Sequence, residues 1–547
     1  MLREKIPNIP FQMLLRGSNL VGYASYPDNL VRAFIAESAR EGIDVFRVFD
    51  SLNWMPNMET AMDEVLRQGK FLEGTVCYTG DILDPTRDRY TLEYYVNFAK
   101  ELERRGAHML AIKDMSGLLK PYAAKKLVST LKQEIGIPIH LHTHNTTDNQ
   151  IATYLMAAEA GVDVVDTAIG PLANLTSQPS MNAVVESLRG QERDTGFDPQ
   201  RLQELADYWA DVRLRYESFD KGLKVPVTDI YRYEIPGGQY TNLQPQVESL
   251  GLGHRFAEVK EMYRTVNLML GDIIKVTPSS KMVGDLAIFM VQNDLTPENI
   301  VEKGEHLAFP DSVVSYFKGM MGQPPCGFPK DLQRIVLKGE KPITGRPGDL
   351  LPPVDWDQLR REIVKFYPNY EEPRSLISYA MYPKVYEEFI SHRKEYGYIM
   401  RMGSHVFFNG MAVGEVNKIN IEDGKTLMIK YIGLGDRNDD GTRNVQFELN
   451  GMRREVAVPD PTAADTAKTV VMADPNDKSQ AGASIPGMVS KVNVKPGDQV
   501  KVNDVLAVIE AMKMETSVVA RMDGTIDEVF VKPSQSVKAG ELLLTIK

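Results

Sequence analysis

Cysteine is nearly absent from this chain. Cys77 and Cys326 are the only two among 547 residues, far apart and in no metal-ligand spacing, which argues against a disulfide framework and fits a reducing compartment. No run of about 20 uncharged apolar residues occurs, so nothing reads as a membrane-spanning helix. The opening residues, Met1-Leu2-Arg3-Glu4-Lys5, lack the apolar stretch of a secretory signal. A cytoplasmic location is expected. Positive charge is not in excess either: the net charge is −11, which removes the electrostatic ground for expecting nucleic acid. What is present is an ordinary globular balance, 43% apolar and 25% charged. The length calls for roughly three or four domains.

The first third alternates short apolar runs with amphipathic stretches. The runs are Phe11–Leu15, Ile43–Phe49, Gly74–Tyr78, Met109–Ile112, Ile137–Leu141 and Val162–Ala168. Helical patterns fall between them, as in Asn29–Arg40, Met58–Gln68, Leu92–Arg105 and Tyr122–Glu134. Repeated strand-helix units imply a parallel sheet covered by helices. Each run ends in a chemically capable group: Arg16, Asp50, Asp81, Lys113 with Asp114, His142 with His144, and Asp166. In a (β/α)8 barrel such ends converge on one mouth, whereas an open sheet gathers its chemistry at one switch point. The barrel is favoured. About six of its eight units are visible, and two strands are expected to be missing from the front.

Segment His140-Leu141-His142-Thr143-His144 alternates as a strand, so its three imidazoles point one way. His142 and His144 lie nearest the mouth and are spaced to share one cation. Hydrogen-bonded core histidines are the bland alternative. Lys113, one strand earlier, is costly to bury unless paired with Asp114 or Asp166, or chemically altered.

The C-terminal residues contain a repeat. Gly487–Glu510 aligns without gaps on Gly524–Lys547 at an offset of 37, with nine identities in 24 positions. Valine-rich alternation broken by Pro-Gly and Asp-Gly predicts two copies of a short antiparallel unit in a flattened β-barrel. Between the copies lies Glu510-Ala511-Met512-Lys513-Met514-Glu515. An exposed surface lysine is the bland reading. Ala-Met-Lys-Met centred in such a repeat resembles the biotinyl-domain signature, with biotin on Lys513.

Further motifs run through the rest of the chain: Leu15-Arg16-Gly17-Ser18-Asn19-Leu20-Val21-Gly22-Tyr23, Val45-Phe46-Arg47-Val48-Phe49-Asp50-Ser51-Leu52-Asn53, Ile112-Lys113-Asp114-Met115, Thr176-Ser177-Gln178-Pro179, Pro236-Gly237-Gly238-Gln239-Tyr240 and Lys275-Val276-Thr277-Pro278-Ser279-Ser280-Lys281. With Lys513, they resemble the carboxyltransferase and biotin-carrier part of the pyruvate carboxylase family over essentially the whole length.

The resemblance implies a TIM-type barrel, N-terminally incomplete, over 1–197 and a helical funnel over 198–390. It implies a β-rich linker or tetramerisation region over 391–458, a flexible tether over 459–482 and an all-β biotinyl domain over 483–547. It implies that Lys113 is carbamylated and binds a divalent metal (Mn, Zn or Mg) with His142 and His144. Arg16 and Tyr23 are expected to orient pyruvate and the reacting biotin, Thr277 to shuttle the proton between them, and Ser280 to lie in the biotin pocket. The implied reaction moves CO2 from carboxybiotin to pyruvate, giving oxaloacetate. The implied partners are a biotin protein ligase, an ATP-dependent biotin carboxylase part absent from this chain, and sister chains in a homotetramer.

The sequence departs from the family pattern at His144-Asn145-Thr146-Thr147-Asp148, where the family has His-Asp-Thr-Ser-Gly, and in the loop Ala168–Asn174. An oxaloacetate decarboxylase alpha-type or transcarboxylase subunit shares the barrel and carrier. An aldolase-type lyase shares the metal barrel but would have no use for Lys513. An inactive fragment that only accepts biotin is the alternative of another class.

Overall fold

The computed structural model describes residues 2–220, 223–304, 307–397, 399–422, 424–438, 441–460, 471–474, 477–511, 514–533 and 535–547. Lys513 and Met512 lie outside the described residues. The described chain divides into two units, one of Met1–Gln358, Glu371–Met381 and Ala473–Lys547, the other of Leu359–Tyr370 and Tyr382–Met472.

The first unit is built on a parallel sheet of six strands in sequential order: β1 Gln12–Leu15, β2 Val45–Val48, β3 Phe71–Cys77, β4 Met109–Asp114, β5 Ile139–Thr143 and β6 Val164–Val165. Every predicted run overlaps a strand, and the four predicted helices are present with bounds within about three residues, while the crossover from β5 to β6 holds a further helix, Gln150–Glu159. The helix Leu92–Arg104 shows why. Thr91 caps it by accepting the Tyr94 N–H, and Tyr95, Val96, Ala99 and Leu102 recur on the buried face. Two residues past its end, Gly106 takes a φ of +89°, turning the chain back into β4 where a side chain would be strained.

The sheet is not apolar throughout. Arg47, Glu73 and His140 are buried on its strands at 4%, 0% and 5% exposure. Lone charges inside buried strands are tolerated only when paired. Arg47 donates to Glu73 at 2.6 Å and to Asp166 at 2.5 Å, and His140 sits 2.5 Å from Glu73 and 2.8 Å from Asp166.

After β6 the chain is helical, and part of it roofs the C-terminal ends of the strands. The Gly237 N–H donates to the Met115 carbonyl beyond β4 at 2.9 Å. Ser279 donates to the Ser51 carbonyl beyond β2 at 3.2 Å. Lys275, 1% exposed, pairs with Glu234 at 2.9 Å and reaches Thr79 beyond β3 at 3.5 Å.

The second unit carries the antiparallel strands β7 Val416–Glu422, β8 Lys425–Arg437, β9 Thr442–Leu449 and β10 Met452–Pro459, in the order β10-β9-β8-β7. The region read as β-rich from 391 opens instead with the end of the helix Pro383–Tyr396 and the short helix Ser404–Asn409. Tyr396, Phe407 and Phe408 blurred that boundary, since aromatic residues favour strands without excluding helices.

In the C-terminal region, β11 Gln480–Gly482, β12 Gly487–Val492, β13 Gln499–Val500, β14 Val505–Ala511, β15 Met514–Val519, β16 Gly524–Val529, β17 Ser536–Val537 and β18 Leu542–Ile546 form two four-stranded sheets, β11-β18-β16-β13 and β15-β14-β12-β17. The repeat is visible in the pairing: β12 pairs with β14 and β17, and β16 pairs with β18 and β13. The repeated glycines meet equivalent neighbours. A Cβ on Gly487 would lie 2.5 Å from the Glu510 carbonyl oxygen and 2.9 Å from Ile509 Cγ2. On Gly524 it would lie 2.7 Å from the Lys547 carbonyl oxygen and 2.5 Å from Ile546 Cγ2. Val489, Leu506, Ile509, Ile526, Leu543 and Leu544 fill a core between the sheets, and Leu250 packs against it. β11 pairs with β18, so strand structure reaches back into the segment read as tether. Its alternation is too short to register in sequence.

Candidate active site

The C-terminal ends of β4 and β5 carry the predicted metal residues. Lys113 and His142 are register partners on the two strands, 5% and 9% exposed. His144 lies two residues further on, with its ring 5.1 Å from that of His142.

Neither aspartate named as a partner for Lys113 forms an ion pair with it. Asp114 accepts the N–H groups of Gly117, Leu118 and Leu119 and the Thr143 hydroxyl, at 2.8–2.9 Å. Asp166 is held by Arg47, His140 and His142. Burial pushes the Lys113 ammonium down to about 8, with the Arg47 and Arg16 charges adding to the effect. Such an amine is partly neutral near neutral pH, the form that can attack CO2.

Both imidazoles are held neutral. Burial lowers His144 to about 4 and His142 well below its ordinary value, and the Lys113 charge acts in the same direction on both. His142 Nδ1 lies 2.7 Å from Asp166 Oδ2, and His144 Nδ1 lies 2.7 Å from the Thr176 carbonyl. Both partners are acceptors, so each Nδ1 donates and each Nε2 keeps its lone pair. His142 Nε2 is buried without a hydrogen-bond partner. Leaving such an atom unmet costs about 1–3 kcal/mol. The donors fit a divalent cation. Among the described residues no group of three or more His, Cys, Asp or Glu could hold a metal.

The roof presses on this site. A Cβ at Gly237 would lie 2.7 Å from His144 Nδ1, which explains the Pro236-Gly237 motif as a close approach rather than a turn. Thr277 is half-buried just before the helix Ser279–Gln292. Ser279 pins this segment, its hydroxyl lying 2.8 Å from the Ile274 carbonyl and 2.7 Å from that of Val276. Tyr23 is 45% exposed. It lines a cavity of about 500 Å³ together with Pro278, Lys281, Asp285, Met320 and Leu351. Arg16 is half-buried in the turn after β1, where its N–H donates to the Leu20 carbonyl at 2.8 Å. Ser280 is 1% exposed, its carbonyl accepting the Tyr263 hydroxyl at 3.4 Å, and it does not line that cavity.

Sequence reasoning missed Arg47, Glu73 and His140 as a set, and the Lys275–Glu234 pair. A single charge within an apolar run was the available signal for Arg47 and Glu73. Nothing local pairs Lys275 with Glu234. Of the other strand-end groups, Asp50 caps its own loop through the N–H groups of Leu52 and Trp54, and Asp81 pairs with Lys120 at 2.7 Å.

Comparison with known proteins agrees with this architecture. Three family models match: a conserved carboxylase domain over residues 230–430, a biotin-requiring enzyme domain over 477–546 and an HMGL-like domain over 84–208. The carboxyl transferase domain of Rhizobium etli pyruvate carboxylase, solved with pyruvate and biocytin, superposes with a TM-score of 0.82 at 48% identity, covering 84% of this chain and 78% of that one. The chain belongs to the pyruvate carboxylase family. Pyruvate carboxylases of Staphylococcus aureus and Bacillus subtilis are each 50% identical to it over 95% of its length, covering 46% and 45% of those proteins. The chain thus spans about half the length of the curated relatives it matches. No helix among the described residues is long and apolar enough to cross a membrane.

Proposed function

We propose that this chain performs the carboxyl-transfer half of pyruvate carboxylation: it brings a biotin on Lys513 to the mouth of the barrel and passes a carboxyl group to pyruvate, giving oxaloacetate. The observation that carries the reading is the buried, unpartnered His142 Nε2 beside Lys113, which has no ion-pair partner among the described residues, with the Thr277 segment pinned to the loop after β2. When bound, biotin supplies an activated carboxyl group, and a divalent metal supplies a Lewis acid.

His142, His144 and a carbamylated Lys113 hold the metal. Carbamylation would turn a buried cation into an anionic oxygen ligand, whose burial cost a bound divalent cation would offset. Arg16 pairs with the carboxylate of pyruvate, and Tyr23 positions the ring that delivers the carboxyl group. Thr277 relays the proton between the pyruvate methyl group and that ring, since its hydroxyl both donates and accepts. Ser280 supports the same turn from the buried side. The partly covered mouth limits water, which strengthens the interaction of Arg16 with developing negative charge. The partners consistent with this role are a biotin protein ligase, an ATP-using biotin carboxylase part and sister chains in a tetramer. The balance of composition and the paucity of cysteine suit the cytoplasm.

The test is oxaloacetate decarboxylation assisted by free biotin, the transfer run in reverse. Thr277→Ala is expected to lower its rate about 10²–10⁴-fold, the range for removing a general acid–base group. An unchanged rate would overturn the relay.

A further inference from the structure

Asp166 stands at the end of the short β6 and touches three side chains from two other strands. Its Oδ2 accepts from Arg47 Nη1 at 2.5 Å and from His142 Nδ1 at 2.7 Å, and its Oδ1 accepts from His140 Nε2 at 2.8 Å. Its backbone is fixed as well: its N–H donates to the Leu141 carbonyl at 3.1 Å, and its carbonyl accepts the Tyr154 hydroxyl at 2.6 Å. Both carboxylate oxygens are therefore committed, and rotation of the side chain would break three contacts at once.

The partners of Asp166 are themselves fixed. His140 lies between Glu73 and Asp166, and both of its ring nitrogens face carboxylate oxygens at 2.5 and 2.8 Å. Arg47 Nη2 faces the same ring, 2.9 Å from Nδ1 and 3.2 Å from Nε2, so His140 is held by three side chains. Arg47 and His140 thus each bridge Glu73 and Asp166, while Gln12 also donates to Glu73. With both oxygens occupied by these donors, Asp166 is committed to His142 and forms no ion pair with Lys113.

We propose that Asp166 is a positioning residue: by bridging His142 to the buried Arg47 and His140 it holds His142 in the Nδ1–H form, so that the Nε2 lone pair faces the divalent-cation site shared with His144 and Lys113. The inference rests on the metal reading above and goes further by assigning the buried quartet a task. A carboxylate that fixes the tautomer of a metal-binding histidine typically contributes 10–100-fold in metal affinity. Arg47 and His140 act at one further remove, by fixing Asp166.

The test uses the full chain, stripped with a chelator and then titrated with Zn2+ in equilibrium dialysis. Asp166→Asn is expected to bind Zn2+ 10–100-fold more weakly than the parent, and His142→Ala at least as weakly. Nitrogen-15 NMR of the stripped parent, with its histidines labelled, should show His142 protonated at Nδ1. In Asp166→Asn the signal should move toward a mixture of the two neutral forms. If Asp166→Asn does not fold, the parent spectrum decides alone: His142 protonated at Nε2 overturns the proposal. Parental Zn2+ affinity in Asp166→Asn, with loss in His142→Ala, also overturns it and leaves the metal reading intact. Parental affinity in both variants overturns the metal reading itself.

Discussion

The barrel mouth and the C-terminal β region solve the placement of a reactive group in opposite ways. In the barrel, the reactive side chains are part of the core. Lys113 and His142 are buried on adjacent strands, and the interior beside them is charged rather than apolar. In the C-terminal region the buried core among the described residues is wholly aliphatic, and Lys513 falls in the sequence between β14 and β15. The difference shows what each region must do. A barrel mouth that stabilises charge needs fixed dipoles and ions at hand and tolerates their burial cost. A carrier needs only a stable frame and a lysine that an enzyme can modify.

The largest test of this separation is Lys513→Arg. Coexpression with a biotin ligase should give a streptavidin-reactive parent and no signal in the variant, while the metal content of the two stays equal. A surviving signal would place the modification elsewhere.

Next in size is Lys275→Met, which leaves Glu234 buried with only Arg87 beside it. Removing one partner of a buried pair costs about 3–5 kcal/mol, and the remaining arginine should keep the loss near the lower end. Chemical denaturation measures it, and decarboxylation should fall with it because the same lysine anchors the Thr277 segment. Biotinylation should be untouched.

Gly524→Ala reverses the pattern. The new Cβ would meet backbone oxygen and Ile546, an overpacking cost of about 1–3 kcal/mol. Amide exchange in β16 and β18 should accelerate, while exchange in β4 and β5 stays at the parental rate. Equal acceleration in both would show that the two regions open as one.

The smallest effect is a contrast within the first unit. Burial pushes the Cys77 thiol up to about 12, whereas Cys326 is exposed. A raised pKa leaves Cys77 protonated at pH 8, and alkylation requires the thiolate. Iodoacetamide should therefore label one cysteine per native chain and two after denaturation. Two labels on the native chain would mean that the barrel interior opens readily.

The six strand-helix units and the two-copy β unit were legible because period and repetition are local properties of a chain. Lys113, His142 and His144 were legible for the same reason: they stand at the ends of runs whose direction the pattern already fixes. The boundaries around residues 391–416 were not, because the helices there are short and rich in aromatic residues that also suit strands.

By itself the sequence determined the parallel barrel units, the repeat around Lys513 and the cluster of potential ligands at two strand ends. The tertiary structure alone decided what each ionisable group does. Asp50 caps a loop and Asp166 bridges three side chains, though both end similar apolar runs. His140 and His142 share one strand face, yet one has both ring nitrogens against carboxylates and the other keeps a buried nitrogen without a partner. The reason is physical. Periodicity fixes the side of a strand on which a residue falls, but protonation and pairing depend on charges within a few ångströms, and here those charges come from strands as far apart in sequence as Arg47 and Asp166.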